Sequence, residues 1–220
     1  MGVIYIVRHG QASTAAYDTD VADDVPTGLT ELGRHQAEHA GVALSRRIGH
    51  VDAAFCGDLP RQRETLDLVL AQLPDSPVPT VDERWDEYRI ADVLSGVDVP
   101  SSTDTRGYQE VLDAALDRWI GGGEGAGESF ADFTGRAADA LTQAATAAGS
   151  GKTVVVASSS GTIAAVVAAL WGMPPQSWQS LARMMVNTAI TKLIVGGAGV
   201  HVASVAEHAH VETAGLMTYR

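Results

Sequence analysis

The chain has 220 residues, of which 45% are hydrophobic, and a formal net charge of −12 with only 15 Lys and Arg. This length supports one sizeable core, so we expect a single domain over residues 1–220. The acidic balance argues against nucleic acid as a partner, because phosphate contacts need a basic surface. Cys56 is the single cysteine, which excludes a disulfide framework and a cysteine-based zinc site. The sequence shows neither a signal peptide nor an apolar run of membrane-spanning length, so we expect a cytoplasmic protein without a membrane partner.

Segments with strand and helix periodicity alternate along the chain. Residues 3–7 are apolar at every position, which is typical of a strand buried on both faces. Alternating strands and helices imply parallel pairing, so we predict a three-layer α/β/α sandwich with a mostly parallel central sheet. The further predicted strands are 51–55, 78–81, 153–157, 188–195 and 200–205, and the predicted helices are 29–47, 61–73, 107–120, 129–148 and 162–171.

Arg8, His9 and Gly10 directly follow the first predicted strand. Such a strand delivers them to the carboxyl edge of the sheet, where open α/β proteins bind ligands. The triplet offers a cation, an imidazole that can act as a nucleophile, and a glycine that lets backbone approach a ligand closely. Because histidines at strand ends are usually structural, the triplet alone does not define a function.

Two short motifs have better structural explanations. Residues 149–153 resemble the end of a P-loop, but they precede a predicted strand instead of following one, so we predict a plain turn. Residues 35–39 match the H-x-x-E-H zinc-protease motif. Both histidines lie opposite the apolar face of the helix, so we predict a solvated surface and no metal site.

A third motif leaves an alternative open. Residues 157–161 lie between a strand and a helix and resemble a nucleophile elbow with Ser159 as the nucleophile. A serine hydrolase also needs an acid and a histidine later in the chain. The available candidates are Glu207, Glu212, His208 and His210.

Taken together, the motifs resemble those of the histidine phosphatase superfamily, which has the phosphoglycerate mutase-like fold. Five motifs in the family's order and spacing make this resemblance specific, although any one of them would not. They are residues 8–11, residues 29–37, residues 58–65, residues 85–87, and residues 127–129 followed by Arg136.

The resemblance implies roles for the residues around the expected phosphate. His9 would be the nucleophile that accepts the phosphoryl group. Arg8 and Arg61 would clamp the phosphate oxygens, with Arg63 as the alternative to Arg61. The rest of the phosphate-binding set would be Gly10, Gln11, Ser159 and Ser160.

The resemblance also implies an acid and supporting residues. Glu87 would protonate the leaving oxygen and then activate water, and Glu83 is the competing candidate. Asn187 would order the backbone near the site. His208 and His210 lie where the family has a histidine without a catalytic role.

One position departs from the family pattern. The family has Ser-His-Gly after a strand, whereas this chain aligns Ser159 with that second histidine. A serine donates a neutral hydrogen bond of roughly half the strength of the charge-assisted bond from a protonated imidazole. We therefore expect the protein to retain phosphate binding and to catalyse phosphoryl transfer slowly.

These inferences predict a phosphomonoester hydrolase of the histidine acid phosphatase type, acting through phosphohistidine at His9 without a metal or cofactor. Its partner would be a small phosphorylated metabolite or inorganic phosphate. The alternatives are a non-catalytic pseudophosphatase, a serine hydrolase using Ser159, and a mutase, which would keep the second histidine. The loops 13–27 and 88–105 would select the substrate. The four tryptophans fit either a core or an interface, so a homodimer is one interpretation.

Overall fold

The computed structural model describes residues 1–13, 28–100, 105–123 and 127–219. The predicted loop 13–27 therefore lies almost wholly outside the described residues, as do parts of the segments 88–105 and 121–127. Within the described part of the chain, no helix is both long and apolar enough to cross a lipid bilayer.

All five predicted helices are present in the predicted order, and the described part of the chain contains three further short α-helices. The predicted helices correspond to α1, α2, α4, α5 and α6, whereas α3, α7 and α8 were not predicted. The bounds are α1 (Glu31–Ser45), α2 (Pro60–Leu70), α3 (Ile90–Val93), α4 (Thr105–Ile120), α5 (Phe130–Ala148), α6 (Ser160–Trp171), α7 (Trp178–Met184) and α8 (Ala209–Glu212).

Capping side chains fix where two of these helices begin. Thr30 Oγ1 accepts the main-chain N–H of Gly33 at 3.0 Å, so α1 begins after Thr30 and not at residue 29 as predicted. Ser129 Oγ accepts the N–H of Asp132 at 3.1 Å at the start of α5. The helix start predicted from residues 127–129 is therefore confirmed.

The described strands form one six-stranded sheet in the order β3-β2-β4-β1-β5-β6. Four of them pair in parallel, while β5 runs antiparallel to both of its neighbours, β1 and β6. The prediction of a mostly parallel sheet is confirmed, with one reversed strand. The bounds are β1 (Gly2–Arg8), β2 (Ala53–Cys56), β3 (Thr80–Val81), β4 (Thr153–Ser158), β5 (Ile190–Gly196) and β6 (Gly199–Glu207).

The reversal of β5 follows from its connections. Two helices, α6 and α7, separate β4 from β5, so the chain enters β5 from the carboxyl edge of the parallel strands. Only the turn at residues 197–198 separates β5 from β6, and so short a connection permits only antiparallel pairing. Simple alternation of strands and helices therefore predicts the first four strands and not the last hairpin.

Apolar side chains of β1 point alternately to the two faces of the sheet, which gives the fold its three layers. Ile4 and Ile6 belong to the core that packs against α4–α7, and Tyr5 and Val7 belong to the core under α1 and α2. All four side chains are buried. The three-layer α/β/α architecture predicted from the sequence is confirmed.

Candidate active site

The carboxyl ends of the neighbouring strands β1 and β4 bring His9 and Ser159 to one edge of the sheet. The strands are parallel, with Arg8 in register with Ser158, so the next residue of each strand lies at the same level. The N–H of His9 donates to the carbonyl of Ser158 at 2.8 Å, which continues the ladder to this edge. The pairing register therefore confirms that His9 lies at the carboxyl edge of the sheet, as the strand pattern predicts, and it places Ser159 beside it.

His9 is a buried imidazole with a defined tautomer. Its Nδ1 lies 2.7 Å from the carbonyl oxygen of Gly10. Because a carbonyl only accepts, Nδ1 carries the proton and Nε2 keeps its lone pair. Burial, together with the nearby Arg61 and Arg8, holds the pKa of His9 well below its usual value. A neutral ring with an unprotonated Nε2 is the form that can attack phosphorus.

Two arginines lie beside His9 and are both buried. Arg8 Nη1 donates to the carbonyl of Met185, and to that of Tyr219 at 2.9 Å, which fixes the plane of its guanidinium. Arg61 is 5% exposed in the first turn of α2. Arg63 instead points outward, with half of its side chain accessible, and pairs with Asp58.

Gly10 and Gln11 are anchored to helices α1 and α2. The N–H of Gly10 donates to Thr65 Oγ1 at 3.0 Å, and the N–H of Gln11 donates to Gln36 Oε1 at 2.8 Å. A Cβ on Gly10 would lie 2.4 Å from the carbonyl oxygen of Gly33, so only glycine fits against α1 here. These contacts hold the loop after β1 in place, and binding of phosphate by either residue stays a prediction.

The carboxyl of Glu87 lies at the N-terminus of α6. Glu87 Oε2 accepts the N–H of Gly161 at 2.8 Å. Burial raises the pKa of Glu87, although the Gly161 hydrogen bond and the Arg61 charge oppose the shift. Arg8 also lowers it, so both guanidiniums are close enough to act on this carboxyl. Glu83, the competing candidate, is exposed.

Arg136 and Thr162 hold the backbone next to Glu87. Arg136 Nη1 donates to the carbonyls of Asp86 at 2.7 Å and Arg84 at 3.0 Å, and Thr162 Oγ1 donates to the Asp86 carbonyl at 2.8 Å. The Asp86 carboxylate accepts the N–H of Asp58 at 2.7 Å, just before α2, and burial raises its pKa to about 6. The turn that carries Glu87 is thus tied to the helices on both sides.

The hydroxyl of Ser159 is bound by a glutamine from α2. Gln62 Nε2 donates to Ser159 Oγ at 2.8 Å, and both residues are buried. Ser159 is the N-cap residue of α6, yet its side chain does not cap the helix. Its φ of −115° and ψ of 163° are ordinary extended values and lack the strain typical of a nucleophile elbow. This conformation gives no support to the serine-hydrolase alternative.

A cavity of about 400 Å³ opens beside this cluster. Arg8 and Ser160 line it at the sheet edge, and the aromatic residues Tyr88 and Trp178 form part of its wall. Ser160 is only partly buried, in contrast to Ser159.

Asn187 and His210 support the backbone around His9. Asn187 Nδ2 donates to the carbonyl of His9 at 3.2 Å, as the sequence analysis expected of a residue that orders this backbone. Thr188 has a left-handed φ of 59°, which is unusual for a β-branched residue, and its carbonyl lies 3.1 Å from His210 Nε2. Burial lowers the pKa of His210 to about 4. His208 contacts the carbonyl of Ala206.

The two motifs discounted in the sequence analysis have the predicted structures. His35 and His39 are exposed on α1, and residues 149–152 form the turn between α5 and β4. Within the described ranges, no group of three or more His, Cys, Asp or Glu side chains is arranged to hold a metal ion.

The sequence analysis assigned no role in the site to Gln62, Thr65 or Arg136, although all three lie in the family motifs. Gln62 shares one face of α2 with the apolar Leu66 and Val69, at spacings of four and seven residues. A buried polar side chain on an apolar helix face needs a hydrogen-bond partner, and this pattern could have identified Gln62. The partners themselves lie far away in sequence and could not be read from it.

A family model of the histidine phosphatase superfamily (branch 1) matches residues 4–208. The chain belongs to this superfamily. Its relatives include proteins named as phosphatases and as mutases.

Two relatives illustrate the range. A 2,3-bisphosphoglycerate-dependent phosphoglycerate mutase from Nitrobacter winogradskyi is 33% identical over 111 residues, which cover 50% of this chain and 53% of the mutase. The chain thus matches about half the length of that relative. A glucosyl-3-phosphoglycerate phosphatase from Mycolicibacterium vanbaalenii is 30% identical over 189 residues, covering 82% of this chain and 79% of the relative.

A solved structure supports the fold. A mutant phosphoserine phosphatase from Entamoeba histolytica in complex with phosphoserine has a TM-score of 0.70 at 19% identity, covering 96% of this chain and 100% of the other. At this level of identity the similarity shows a shared fold.

Proposed function

We propose that the protein hydrolyses phosphomonoesters through a phosphohistidine intermediate on Nε2 of His9. The observation that carries this proposal is the buried, neutral imidazole of His9 beside the two buried guanidiniums of Arg8 and Arg61. A phosphate dianion is attracted by the two cations, and the lone pair of Nε2 is the nucleophile. The family membership of the chain supports the same chemistry.

In the first step, Nε2 of His9 forms a bond to phosphorus while the bond from phosphorus to the leaving oxygen breaks. Arg8 and Arg61 neutralise the charge on the transferred phosphoryl oxygens. Glu87 gives its proton to the leaving oxygen, and its raised pKa widens the pH range in which it holds that proton.

In the second step, a water molecule attacks phosphorus as the bond between phosphorus and Nε2 breaks. Glu87, now ionised, takes a proton from the water, and inorganic phosphate leaves. The two guanidiniums supply the positive charge that metal ions supply in other phosphoryl-transfer sites, so the proposed reaction needs no metal.

The other residues proposed to bind phosphate are chosen from their places in the fold. Ser159 and Ser160 lie at the start of α6, where hydroxyl and main-chain donors favour anions. Arg61 is preferred to Arg63, and Glu87 to Glu83, because the alternatives are exposed. Gly10 and Gln11 complete the set after β1.

The substrate is proposed to be a small phosphorylated metabolite. The cavity of about 400 Å³ beside Arg8 and Ser160 has room for a leaving group of modest size. The named phosphatase and mutase relatives act on molecules of this class.

A second candidate function is phosphate-ligand binding without turnover. The observation that favours it is Ser159, a residue able to donate only a neutral hydrogen bond, at the position where the family resemblance implies a histidine. A mutase is less well supported, because the mutases of the family keep that histidine.

Turnover of an aryl phosphate by the wild-type protein, compared with His9→Ala, separates these candidates. We expect slow hydrolysis that His9→Ala abolishes. Tight binding of inorganic phosphate without hydrolysis would support the binding protein instead. A panel of phosphorylated metabolites then identifies the preferred leaving group.

Three wider expectations accompany this proposal. One sheet contains strands from Gly2 to Glu207, which supports a single domain over residues 1–220. A homodimer is tested by light scattering after size-exclusion chromatography. A cytoplasmic location is tested by cell fractionation.

A further inference from the structure

We propose that Gln62 is a positioning residue that holds the hydroxyl of Ser159 as a hydrogen-bond donor to the transferred phosphoryl group. This inference rests on the proposed function, because it assigns the phosphate to the space beside His9. The buried amide of Gln62 and the hydroxyl of Ser159 would then act as one unit in the position of the family's second histidine.

The orientation of the Gln62 amide is set by its partners. Its Nε2 contacts two groups, the carbonyl of Trp85 at 3.1 Å and Ser159 Oγ at 2.8 Å. A carbonyl oxygen only accepts, so the amide nitrogen and not its oxygen faces Trp85. Both N–H bonds of that nitrogen are therefore assigned, and Ser159 Oγ accepts one of them.

This arrangement leaves the proton of Ser159 available for another acceptor. A serine hydroxyl has one proton and two lone pairs. Since Gln62 uses one lone pair, the O–H bond points away from the amide. The neighbouring Ser158 shows the opposite arrangement, because its hydroxyl donates to the Trp85 carbonyl at 2.6 Å.

Glu87, and not Ser159, accepts the N–H group that the side chain of an N-cap residue usually accepts. An N-cap serine normally accepts an N–H from the first turn of its helix. Here the N–H of Gly161 donates to Glu87 Oε2 at 2.8 Å, and Ser159 makes no side-chain cap. The Ser159 side chain is thus turned toward Gln62 and away from its own helix.

The buried amide of Gln62 packs against Gly57, the residue that follows β2. Gln62 is fully buried, and its Oε1 has no hydrogen-bond partner among the described residues. A Cβ on Gly57 would lie only 1.9 Å from that oxygen, so a larger residue after β2 would displace the Gln62 amide from this position. The two contacts of Nε2, to the Trp85 carbonyl and to Ser159 Oγ, hold the amide in this position.

The test is a double-mutant cycle with Gln62→Met and Ser159→Ala. Methionine keeps the length of the side chain but cannot donate to Ser159. The probe is orthovanadate, which mimics the transferred phosphoryl group and binds whether or not the protein turns over substrate. Affinity is measured by calorimetry, and kcat/KM is measured with an aryl phosphate. Gln72→Met, at an exposed glutamine just after α2, is the matched control.

We expect each single variant to weaken vanadate binding by between about threefold and tenfold, the value of one neutral hydrogen bond. The double variant should bind no more weakly than Ser159→Ala alone, because Gln62 acts only through that hydroxyl. A merely structural role would lower the melting temperature of Gln62→Met and give losses that multiply in the double variant. Multiplying losses would overturn the inference.

Failure of the proposed function has a different pattern. If wild-type protein binds vanadate but does not hydrolyse the aryl phosphate, the hydrolase proposal fails while the cycle in vanadate affinity still tests Gln62. If wild-type protein does not bind vanadate, both proposals are overturned. Gln62→Leu replaces Gln62→Met if the methionine variant does not fold.

Discussion

Glu87 and Gly161 are joined by a hydrogen bond of 2.8 Å, from the main-chain N–H of α6 to the carboxylate Oε2. This contact places the proposed acid at a helix N-terminus, where an anion is favoured. Burial nevertheless raises its pKa. The carboxyl therefore lies in an environment that holds its position through the backbone while favouring the protonated form needed to donate to a leaving group.

The role of Glu87 is tested by the leaving group. Glu87→Gln should slow substrates with poor alkoxide leaving groups by about 10²–10⁴-fold, because general acid catalysis is lost. An activated aryl phosphate needs little protonation and should be slowed far less. Glu83→Gln, at an exposed residue, is the control and should leave both rates unchanged. Equal losses on both substrates in Glu87→Gln would indicate that Glu87 has a structural role.

The same residue predicts a pH dependence. Because the pKa of Glu87 is raised and only its protonated form donates, kcat/KM for an alkyl phosphate should fall as pH rises through that pKa. On the acid side, the lowered pKa of His9 keeps the nucleophile neutral below its usual value of 6.5. A pH–rate profile of Glu87→Gln should lack the alkaline fall. If the decrease in kcat/KM at high pH persists in Glu87→Gln, it must come from the titration of another group.

Arg61 and its neighbour Arg63 form a matched pair on one helix. Arg61→Ala should cost about 1.5–3 kcal/mol of transition-state binding, the value of hydrogen bonds to a charged group. Arg63→Ala should leave kcat/KM nearly unchanged, because this side chain is half exposed and pairs with Asp58. Steady-state kinetics on both variants decide the assignment, which is wrong if the effects are reversed.

Replacing Ser159 by histidine tests why the wild-type enzyme is expected to be slow. Ser159→His alone should not raise kcat, because the Gln62 amide lies 2.8 Å from the serine oxygen and occupies the room an imidazole needs. Gln62→Ala with Ser159→His should be faster than Gln62→Ala, by up to about 10²-fold, since a preorganised donor is restored. Kinetics with an aryl phosphate measure this gain.

The same variants decide the serine-hydrolase alternative. That reading predicts aryl ester hydrolysis by the wild-type protein that Ser159→His abolishes. Such a result, with no phosphatase activity in any variant, would contradict our assignment of the whole site.

Arg136 is expected to stabilise the turn that carries Glu87. It donates to the carbonyls of Asp86 and Arg84 and pairs with Glu128, with Nε to Oε1 at 2.6 Å. Arg136→Ala should lower the free energy of unfolding by about 1.5–3 kcal/mol. Denaturant unfolding measures the change, with the exposed Arg118→Ala as the control. Equal stability of the two variants would contradict this role.

Local sequence patterns predicted the parts of the fold that depend on near neighbours. The apolar run of β1 predicted that this strand is buried on both faces, and the residues around Ser129 predicted where α5 begins. Helix α7 was not predicted, because a helix of seven residues from Trp178 to Met184 has too few turns to show a clear period.

The contacts within the site depend on residues that are distant in sequence. Gln62 and Ser159 are 97 positions apart, and Arg136 and Asp86 are 50 positions apart. The spacing of the family motif to Thr65 selected Arg61 over Arg63 as the second phosphate-binding arginine. Their burial in the folded chain distinguishes them.

The central claim is that His9 carries the phosphoryl group during turnover. Rapid quenching with base during hydrolysis of an aryl phosphate, followed by peptide mass spectrometry, tests it directly, because phosphohistidine survives base and not acid. Our account predicts one added phosphoryl group on the peptide containing His9, absent in His9→Ala and present in the exposed control His35→Ala. Turnover by wild-type protein with no label on His9, or equal turnover by His9→Ala, would contradict it.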